Sequence, residues 1–500
     1  MEIKHIDSKD GANFDPLKQN IISHLNKLSM NNRTLLKLCA AFLLISSLFV
    51  VSCKEEDDQI SDQKLVAGYG AEAALEWNKL FLEIERYATG YRPGPAPRAL
   101  GHMGLAAYEA CVTGMPDYNS LENQFNGLNI PNIEAGKEYH WPSVVHGVYS
   151  IMFPNFFTQE PPADVRNHWE VLKNSLNQKY LAEAGQEVFN RSKTYGEAVG
   201  LAVWEWSTTD PYGHDAYKNP FGNWTTNESY NWEDHYDGPG DWAPTVPGPT
   251  SPMGPYFGKA RAFALKESQK VCLPPSHYYM EYSEDPHSEY YAQALQAYTK
   301  NAQTDYTVKW IGEFWSDDLL NLTFSPGPRW VAIGNQVVEN ENSNLETALE
   351  MYAKVGMSLN DAAVGAWASK YHYNVERPIT YITKVIDPTY KSNLNNPITG
   401  DIGFVPPFPA FPSGHSTMGG AGAEALASVY GYSYGMTDNC HLGRTDFVGV
   451  PRTFSSFKEM ADENAWSRVL LGTHWYMDCV EGVRFGTDIA RKVTALPWKK

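Results

Sequence analysis

The sequence predicts an all-α fold built from helical bundles, and two observations support this prediction. From about Val66 onward, apolar residues recur at the spacing of an amphipathic helix. One such stripe consists of Trp77, Leu80, Phe81, Ile84 and Ala88. The alternation of apolar and polar residues that indicates strands is scarce. We therefore expect two helical halves, at 65–325 and 326–500.

Helical spacing also predicts helices over 97–112, 163–180, 184–207 and 286–302. The segment 208–258 instead concentrates Pro, Gly, Asn, Asp and Trp, which predicts a long irregular excursion. Excursions of this kind usually carry binding function or cover a pocket. Further along the chain, 330–371 is predicted to form two long amphipathic helices that break around 340–344.

Composition and charge restrict the class of partner. The chain has 500 residues, with 58 Asp and Glu against 40 Lys and Arg, so its formal net charge is -18. Binding to nucleic acid or to an anionic lipid surface needs a basic face, so this balance argues against both. With 43% hydrophobic and 20% charged residues, the chain is predicted to be globular rather than disordered.

The N-terminal segment has the layout of an export signal. The apolar run 38–51 follows Arg33 and Lys37 and is too short to span a bilayer comfortably. Cys53 stands where a lipoprotein signal is cut and acylated, and the segment resembles the signals of surface-exposed bacterial lipoproteins. We therefore expect an extension or misassigned start at 1–29, a signal peptide at 30–52 and an acidic tether at 53–64.

This signal predicts an exported protein held by lipid at the outer membrane or cell surface of a Gram-negative bacterium, with no other membrane contact. A plain secretory signal and a single anchor helix are the alternatives. Outside the signal, Cys111, Cys272, Cys440 and Cys479 allow three disulfide pairings in an exported protein. Cys440 with Cys479 is the first choice among them, and four buried free thiols are the alternative.

The first of three clusters that carry chemistry is 370–378, which contains Lys370, Arg377 and Pro378. Two cations seven residues apart return to one face of a helix after two turns, so both can point at one anion. Pro378 would then end the helix at the arginine. A solvated helix face is the alternative interpretation of this cluster.

The second cluster is 408–416, followed by a helix rich in small residues from Thr417 to about Val429. Ser413 is a natural N-cap, which would leave the amides of Gly414 and His415 as donors at the positive end of the helix. Such an end binds oxyanions. The alternative is an ordinary capped helix with a histidine on the surface.

The third cluster is 467–478. His474 and Asp478 are four residues apart, so the carboxylate can accept a hydrogen bond from the imidazole and fix its tautomer. Arg468 is six residues before His474 and would lie on another face of a straight helix. Gly472 permits a break between them.

Together the clusters resemble the signature of vanadium-dependent haloperoxidases and type 2 phosphatidic acid phosphatases, which is K-x6-R-P, P-S-G-H and S-R-x5-H-x3-D in that order. The resemblance covers about 310–490. It implies a helical-bundle fold and a pocket for vanadate, in which phosphate can take the same place. The implied oxyanion-binding residues are Lys370, Arg377, Ser413, Gly414 and Arg468.

For a haloperoxidase, the resemblance implies that His474 is the axial ligand of vanadium and that Asp478 holds it. His415 is the implied acid-base residue when hydrogen peroxide binds, and Lys370 polarises the peroxide. The enzyme would oxidise a halide, which the resemblance leaves open among iodide, bromide and chloride. The hypohalous product could then react with an organic acceptor.

The resemblance also covers phosphatases, in which the residue matching His474 attacks phosphorus and the one matching His415 protonates the leaving group. Trp367 and Phe408 favour the peroxidase because chloroperoxidase-like members place halide-pocket aromatics at these positions. Upstream, 313–318 resembles a segment in which an acid pairs with a site arginine. Asp317 is the candidate there, and Asp318 is almost as good.

A third hypothesis comes from a different functional class. Carbohydrate-binding surface lipoproteins are also helical, rich in aromatic residues and anchored through cysteine. They have no reason to hold Lys370, Arg377, His415, Arg468 and His474 in this order.

Overall fold

The computed structural model describes residues 64–158, 162–245 and 250–500. In these ranges the chain forms thirteen α-helices and one pair of short strands. The first five helices are α1 (Glu72–Tyr87), α2 (Pro95–Cys111), α3 (Trp141–Phe156), α4 (Ala163–Ala184) and α5 (Gln186–Thr208). The next five are α6 (Glu289–Asn301), α7 (Tyr306–Phe314), α8 (Pro328–Asn340), α9 (Leu345–Tyr373) and α10 (Pro378–Val385). The chain then forms α11 (Gly414–Tyr430), β1 (Met436–Asp438), β2 (Arg452–Phe454), α12 (Phe457–Leu470) and α13 (Tyr476–Thr494).

The predicted all-α class is confirmed. The stripe on α1 points into the core, where each of its five predicted residues is at most 5% exposed. The strands β1 and β2 pair in antiparallel fashion, with Met436 opposite Phe454, and form only a small ribbon. Helix periodicity therefore identified the class because burial on one helix face dominates this chain.

Helix α9 is the central element and is buried along most of its length. It packs against α2 on one side and against α11 and α13 on another. Glycines allow these close approaches: a Cβ on Gly356 of α9 would collide with the Leu100 carbonyl of α2. A Cβ on Gly486 of α13 would overlap the Thr417 carbonyl of α11. The C-terminal end of α9 and the N-terminal end of α11 are thus held in fixed relation.

The predicted irregular excursion is confirmed in the ranges that the structure describes. Between α5 and α6 these contain only short 3₁₀ turns. Asp361 of α9 anchors this region by accepting hydrogen bonds from the backbone amides of Phe263, Ala264 and Leu265 at 2.7–2.9 Å. The Trp242 amide donates to the Asn374 carbonyl at 2.7 Å, which ties the excursion to the end of α9.

The largest apolar core runs from Val66 to Trp498 and includes residues of both predicted halves. The boundary at 325 and 326 stays a prediction. No helix in the described ranges is long and apolar enough to cross a membrane. The predicted extension, signal peptide and Cys53 lie outside the described residues, as does most of the predicted tether.

The predicted Cys440–Cys479 disulfide is wrong, because the four described cysteines are free thiols. Cys440 follows β1 and accepts a hydrogen bond from Gln336 of α8. Cys479 lies in α13, in a separate apolar cluster with Val469 and Val483. The two thiols belong to different packing environments, a separation that sequence spacing does not reveal.

Candidate functional site

The three sequence clusters meet where α9 ends, α11 begins and the chain passes from α12 to α13. Lys370, Arg377, Ser413 and Arg468 are all 0% exposed, and His474 is 2% exposed. Buried cations need compensating partners, so the partners of each side chain decide what this site can bind.

Lys370 and Arg377 do not share a helix, so this part of the prediction is wrong. Helix α9 ends at Tyr373 because Asn374 adopts a left-handed backbone conformation with φ 50°. Arg377 is the N-cap of α10, directly before Pro378. The bend nevertheless brings both cations to one aromatic ring. Lys370 Nζ lies 5.1 Å and Arg377 Cζ 4.9 Å from the centroid of Phe408.

Lys370 is held by the backbone of the loop that precedes α11. Its Nζ donates to the carbonyls of Pro409 at 2.9 Å and Ala410 at 2.8 Å. Burial lowers the pKa of Lys370 well below its ordinary value, and the positive charge of Arg377 lowers it further. An anion placed beside this ammonium would relieve both effects.

Among the described residues, Arg377 makes hydrogen bonds to neutral acceptors only. Its Nε donates to the Phe408 carbonyl at 2.9 Å, and its Nη1 donates to the Thr473 carbonyl and to His474 Nε2, each at 3.0 Å. The buried Nη2 has no hydrogen-bond partner within the described part of the chain. Burial lowers the pKa of Arg377 to about 10. At least one N–H group of this guanidinium is therefore available to donate to a bound anion.

The start of α11 is built as predicted. Ser413 is the N-cap, and its hydroxyl accepts from the Ser416 amide at 3.3 Å. The Ser413 amide donates to the Asp478 carbonyl at 2.9 Å, which joins the second cluster to the third. A Cβ on Gly414 would lie 3.3 Å from the Trp367 ring, so glycine keeps this corner open beside Lys370.

His474 and Asp478 interact as predicted, in a different backbone setting. Helix α13 begins at Tyr476, so His474 precedes the helix and Asp478 lies in its first turn. Asp478 Oδ2 accepts from His474 Nδ1 at 2.8 Å and from the Trp475 amide at 3.1 Å. Because Arg377 can only donate to Nε2, the imidazole carries its proton on Nδ1.

The break that separates His474 from α12 is also as expected. Helix α12 ends at Leu470, and Gly472 has a positive φ of 69°. Burial lowers the pKa of His474 well below its ordinary value, and Arg377 adds to the effect. The ring is therefore neutral, and its Nε2 lone pair faces the same space as Arg377.

Asp318, rather than Asp317, pairs with a site arginine. Arg468 Nη2 donates to Asp318 Oδ2 at 2.8 Å, and His415 Nε2 lies 3.6 Å from the same oxygen. Asp317 points the other way and lies 3.6 Å from Arg329, a buried residue outside the site. The prediction of Asp317 is wrong because the acids follow α7 in an irregular turn, where adjacent side chains face opposite directions.

The pKa values of these two neighbouring acids are shifted in opposite directions. Burial raises the pKa of Asp317 to about 7. Burial acts on Asp318 in the same sense, but Arg468 and His415 hold the pKa of Asp318 below its ordinary value. Burial and Arg468 together lower the pKa of His415 to about 3, which keeps the ring neutral.

A cavity of about 500 Å³ opens onto these residues. Gly414, His415 and His474 line its floor. Trp367 and Phe408 line its wall, with their ring centroids 5.1 Å apart. Their predicted role as a halide pocket stays a prediction. Their position beside Lys370 places an apolar, aromatic surface next to the cationic floor.

Sequence reasoning missed two parts of this region. The cluster of Arg329, Asp438 and His441 lies behind Asp317, and its only signal was a histidine with no motif around it. The cavity wall also contains Phe221, from the irregular excursion, and Leu320, from the turn after α7. Neither position belongs to a periodic pattern, so the sequence gives no register for either side chain.

Comparisons with known proteins cover the segment that contains this site. The family model described as "VCPO second helical-bundle domain" matches 350–497, which contains all three clusters. The chain is 26% identical to the vanadium chloroperoxidase of Curvularia inaequalis, covering 82% of this chain and 79% of that protein. It is 25% identical to a bacterial vanadium-dependent iodoperoxidase of known structure, with a TM-score of 0.71, covering 86% and 98% of the two chains. The chain thus has the fold of the vanadium haloperoxidases, and its second helical bundle matches their family model.

A bacterial vanadium-dependent chloroperoxidase also has this fold. That structure is 13% identical to the chain, with a TM-score of 0.55, covering 90% of this chain and 97% of the other. Like the other matches, it extends beyond the second bundle, so the first five helices belong to the shared architecture.

The residues of this site fit an oxyanion such as vanadate. Arg377 Nη2, Arg468 Nε and His415 Nε2 are buried without hydrogen-bond partners in the described chain. The two guanidinium N–H groups are unpaired buried donors, which are costly, and an oxyanion satisfies both at once. The donor set of buried guanidinium groups beside one neutral imidazole therefore suits an oxyanion that the imidazole can also contact.

Proposed function

We propose that this protein is a vanadate-dependent haloperoxidase that uses hydrogen peroxide to oxidise a halide to a hypohalous species. The observation that carries the proposal is the surroundings of Arg377. This fully buried guanidinium donates to carbonyls and to the neutral Nε2 of His474, and to no carboxylate among the described residues. A buried cation bonded to neutral acceptors can bind an anion, whose negative charge compensates its positive charge.

The residues divide into those that hold the oxyanion and those that handle protons. Lys370, Arg377, Arg468, the Ser413 hydroxyl and the Gly414 amide would hold its oxygens, and His474 Nε2 would bind vanadium. Asp478 keeps His474 in the Nδ1–H tautomer, which leaves Nε2 free as a ligand. When bound, vanadate supplies a Lewis-acidic centre that activates hydrogen peroxide toward halide.

His415 is the residue we assign to proton transfer. Its Nε2 has no hydrogen-bond partner in the described chain, and the ring lines the floor of the cavity. Because the pKa of His415 is lowered to about 3, the ring is neutral and can accept a proton from an incoming peroxide. Asp318, close to Nε2, would stabilise the resulting imidazolium.

The peroxidase is favoured over a phosphatase by the surroundings of Lys370. Trp367 and Phe408 place two aromatic rings within 6 Å of its Nζ. A weakly hydrated halide suits such an apolar surface beside a cation, whereas a phosphate monoester brings additional charge to it. We therefore expect halide turnover rather than phosphate release.

The test is a pair of assays on one preparation freed of vanadate and then reconstituted. Oxidation of iodide, bromide and chloride by hydrogen peroxide is measured beside hydrolysis of p-nitrophenyl phosphate. We expect halide oxidation only after vanadate is added. Phosphate release without any halide turnover would replace this proposal with a phosphatase that uses His474 as nucleophile.

Matched histidine variants serve as controls. His474→Ala should abolish halide oxidation and vanadate binding together, because it removes the imidazole ligand. His287→Ala alters a side chain that is 93% exposed and should behave like the unmodified protein. Full vanadate binding by His474→Ala would show that the site is wrongly assigned.

We also propose that the protein is exported and anchored by a lipid on Cys53. The support is the sequence around 30–53 alone. Metabolic labelling with palmitate in a Gram-negative host tests it: label should enter the unmodified chain and be absent from Cys53→Ser. Equal labelling of both would contradict the anchor.

A further inference from the structure

The described part of the chain keeps nearly all of its thioether sulfurs away from solvent. Ten of its eleven methionines are at most 7% exposed, and Met253 of the irregular excursion is the one that is partly exposed. Oxidation converts a methionine to a polar sulfoxide, and only a sulfur that an oxidant can reach reacts. Met253 is therefore the methionine most open to the oxidant that the proposed function would make.

Met253 lies where that oxidant would be released. It lines the cavity of about 500 Å³ whose floor contains His415 and His474. Its amide donates to the Pro407 carbonyl at 2.9 Å, and its carbonyl accepts from the Tyr371 hydroxyl at 2.7 Å. Because both backbone polar groups are bonded to neighbouring segments, the side chain is the part of Met253 that is left to face the cavity.

A second methionine of the same lining provides an internal comparison. Met418 follows His415 by three residues in α11 and is 0% exposed. A Cβ on Gly327, the N-cap of α8, would lie 3.2 Å from the Met418 sulfur. The sulfur of Met418 is therefore packed against the start of α8, and an oxidant in the cavity reaches Met253 first.

Oxidation of Met253 would alter the wall of the site. The Trp367 indole donates to the Met253 carbonyl at 3.2 Å, and Lys370 Nζ lies 5.8 Å from the centroid of the Trp367 ring. A sulfoxide adds a polar oxygen to this apolar surface, where it needs a hydrogen-bond donor. The indole N–H of Trp367 is such a donor, so Trp367 would lose its present position beside Lys370.

We propose that Met253 is a self-oxidation site, at which hypohalous acid leaving the cavity floor converts the thioether to the sulfoxide and so slows further halide oxidation. This inference rests on the proposed function, which supplies the hypohalous acid. The sulfur lone pair forms a sulfur–halogen bond while the halogen–oxygen bond breaks and its electron pair leaves with hydroxide. The hydroxide then bonds to sulfur as halide departs with the sulfur–halogen electron pair, and loss of the hydroxyl proton gives the sulfoxide. Sulfur thus loses the electron pair that the halogen gains.

Access to the sulfur is tested first, without relying on the activity. Limiting hypobromous acid is added to the vanadate-free protein, and peptide mass spectrometry locates the oxygen that each methionine gains. Met253 should be oxidised before Met418, and before Met280, which is 6% exposed and lies outside the cavity. Oxidation of all three at one rate, or of Met418 first, would overturn the proposal.

Oxidation in place is tested during turnover. The protein loaded with vanadate receives hydrogen peroxide, bromide and excess free methionine, which consumes hypobromous acid in solution. Met253 should gain one oxygen, while Tyr279, which is 82% exposed, should stay unbrominated. The gain should disappear when either vanadate or bromide is left out. An unmodified Met253 after bromide turnover, or the same gain without vanadate or without bromide, would contradict the proposal.

The effect on activity is tested with matched leucine variants, because leucine replaces methionine with little change in volume. Met253→Leu should begin at the rate of the unmodified protein and keep that rate during continued turnover. The unmodified protein and Met280→Leu should both lose bromide-oxidising rate as Met253 gains its oxygen. An equal decline in all three proteins would show that oxidation of Met253 does not slow the reaction.

The two hypotheses fail in different ways. If no halide is oxidised, the proposed function is wrong and self-oxidation falls with it, while added hypobromous acid still shows whether Met253 is the open sulfur. If halide is oxidised and Met253 stays unmodified, the proposed function stands and the self-oxidation site is wrong.

Discussion

Arg329 and Arg377 are both 0% exposed, yet they are surrounded by opposite kinds of partner. Arg329 donates to Asp438 at 2.8 Å and lies 3.6 Å from Asp317. Within the part of the chain that the structure describes, Arg377 donates only to two carbonyls and an imidazole. A buried arginine neutralised by carboxylates stabilises the fold, whereas one held by neutral acceptors keeps its charge available for a ligand.

The pKa values of the two guanidinium groups follow the same division. Burial would lower the pKa of Arg329, but Asp438, Cys440 and Asp317 together more than reverse this and raise the pKa above its ordinary value. In the described chain no carboxylate is hydrogen-bonded to Arg377; burial outweighs the more distant Asp478 and Asp318 and lowers the pKa of Arg377 to about 10. Charge balance around a buried arginine therefore separates a structural role from a binding role more clearly than burial does.

The largest expected effect is on stability, at Arg329. Arg329→Met leaves Asp438 buried without its partner and should lower the free energy of unfolding by about 3–5 kcal/mol. Arg377→Met removes a buried charge without stranding a bonded carboxylate, so the vanadate-free protein should keep or gain stability. Denaturant unfolding of both variants measures this difference. An equal loss of stability in the two variants would show that the two arginines do not differ in role.

The second effect is on anion binding and is centred on Arg377. Arg377→Met should weaken vanadate binding by about 100-fold, because a charge-assisted contact is lost inside a buried site. Calorimetric titration of the vanadate-free protein measures this. Arg377→Lys keeps the charge but loses the planar fork, so it should restore binding only in part.

Arg329→Met serves as the control for this titration. Where it remains folded, its affinity for vanadate should match that of the unmodified protein. A loss of vanadate affinity as large as that of Arg377→Met would show that the two arginines act as one site.

The third effect is smaller and concerns the contribution of His415 to the pH dependence of stability. The unfolded chain protonates a histidine near pH 6.5, whereas the pKa of His415 in the fold is about 3. Between these values the unfolded state binds more protons, so stability falls as pH falls, by about 2 kcal/mol from pH 7 to pH 5. The free energy of unfolding is measured with urea at pH 7 and at pH 5. In His415→Gln it should decrease between these two pH values by about 2 kcal/mol less than in the unmodified protein.

The control for the pH effect is His287→Gln, which changes a side chain that is 93% exposed. It should show the same dependence on pH as the unmodified protein. If His415→Gln does so as well, His415 is not held neutral by the fold.

The smallest effect separates the two neighbouring acids. Asp318 raises the pKa of His415, so Asp318→Asn should lower that pKa and move the acidic limb of the halide-oxidation profile to lower pH. Asp317→Asn should leave the limb in place, because Asp317 belongs to the Arg329 cluster. A shift with Asp317→Asn alone would reverse their assignment.

Sequence predicted much of this site because its chemistry is local. The N-cap at Ser413, the pairing of His474 with Asp478 and the break at Gly472 each follow from spacing within a few residues. Helix periodicity likewise predicted α8, α9 and the bend between them. Short-range geometry was enough for these features.

Long-range geometry was not predictable in the same way. Nothing local says that Asn374 ends α9 before Arg377, or that Asp318 rather than Asp317 faces Arg468. Two partners of Arg329, Asp438 and His441, lie more than 100 residues from it in sequence. Such contacts depend on how whole helices pack, which periodicity does not encode.

A vanadate titration of the vanadate-free protein, followed through iodide oxidation by hydrogen peroxide, tests whether vanadate makes this protein a peroxidase. We predict that the rate rises from zero and saturates at one vanadate per chain. A rate that stays at zero while p-nitrophenyl phosphate is hydrolysed would show a phosphatase instead.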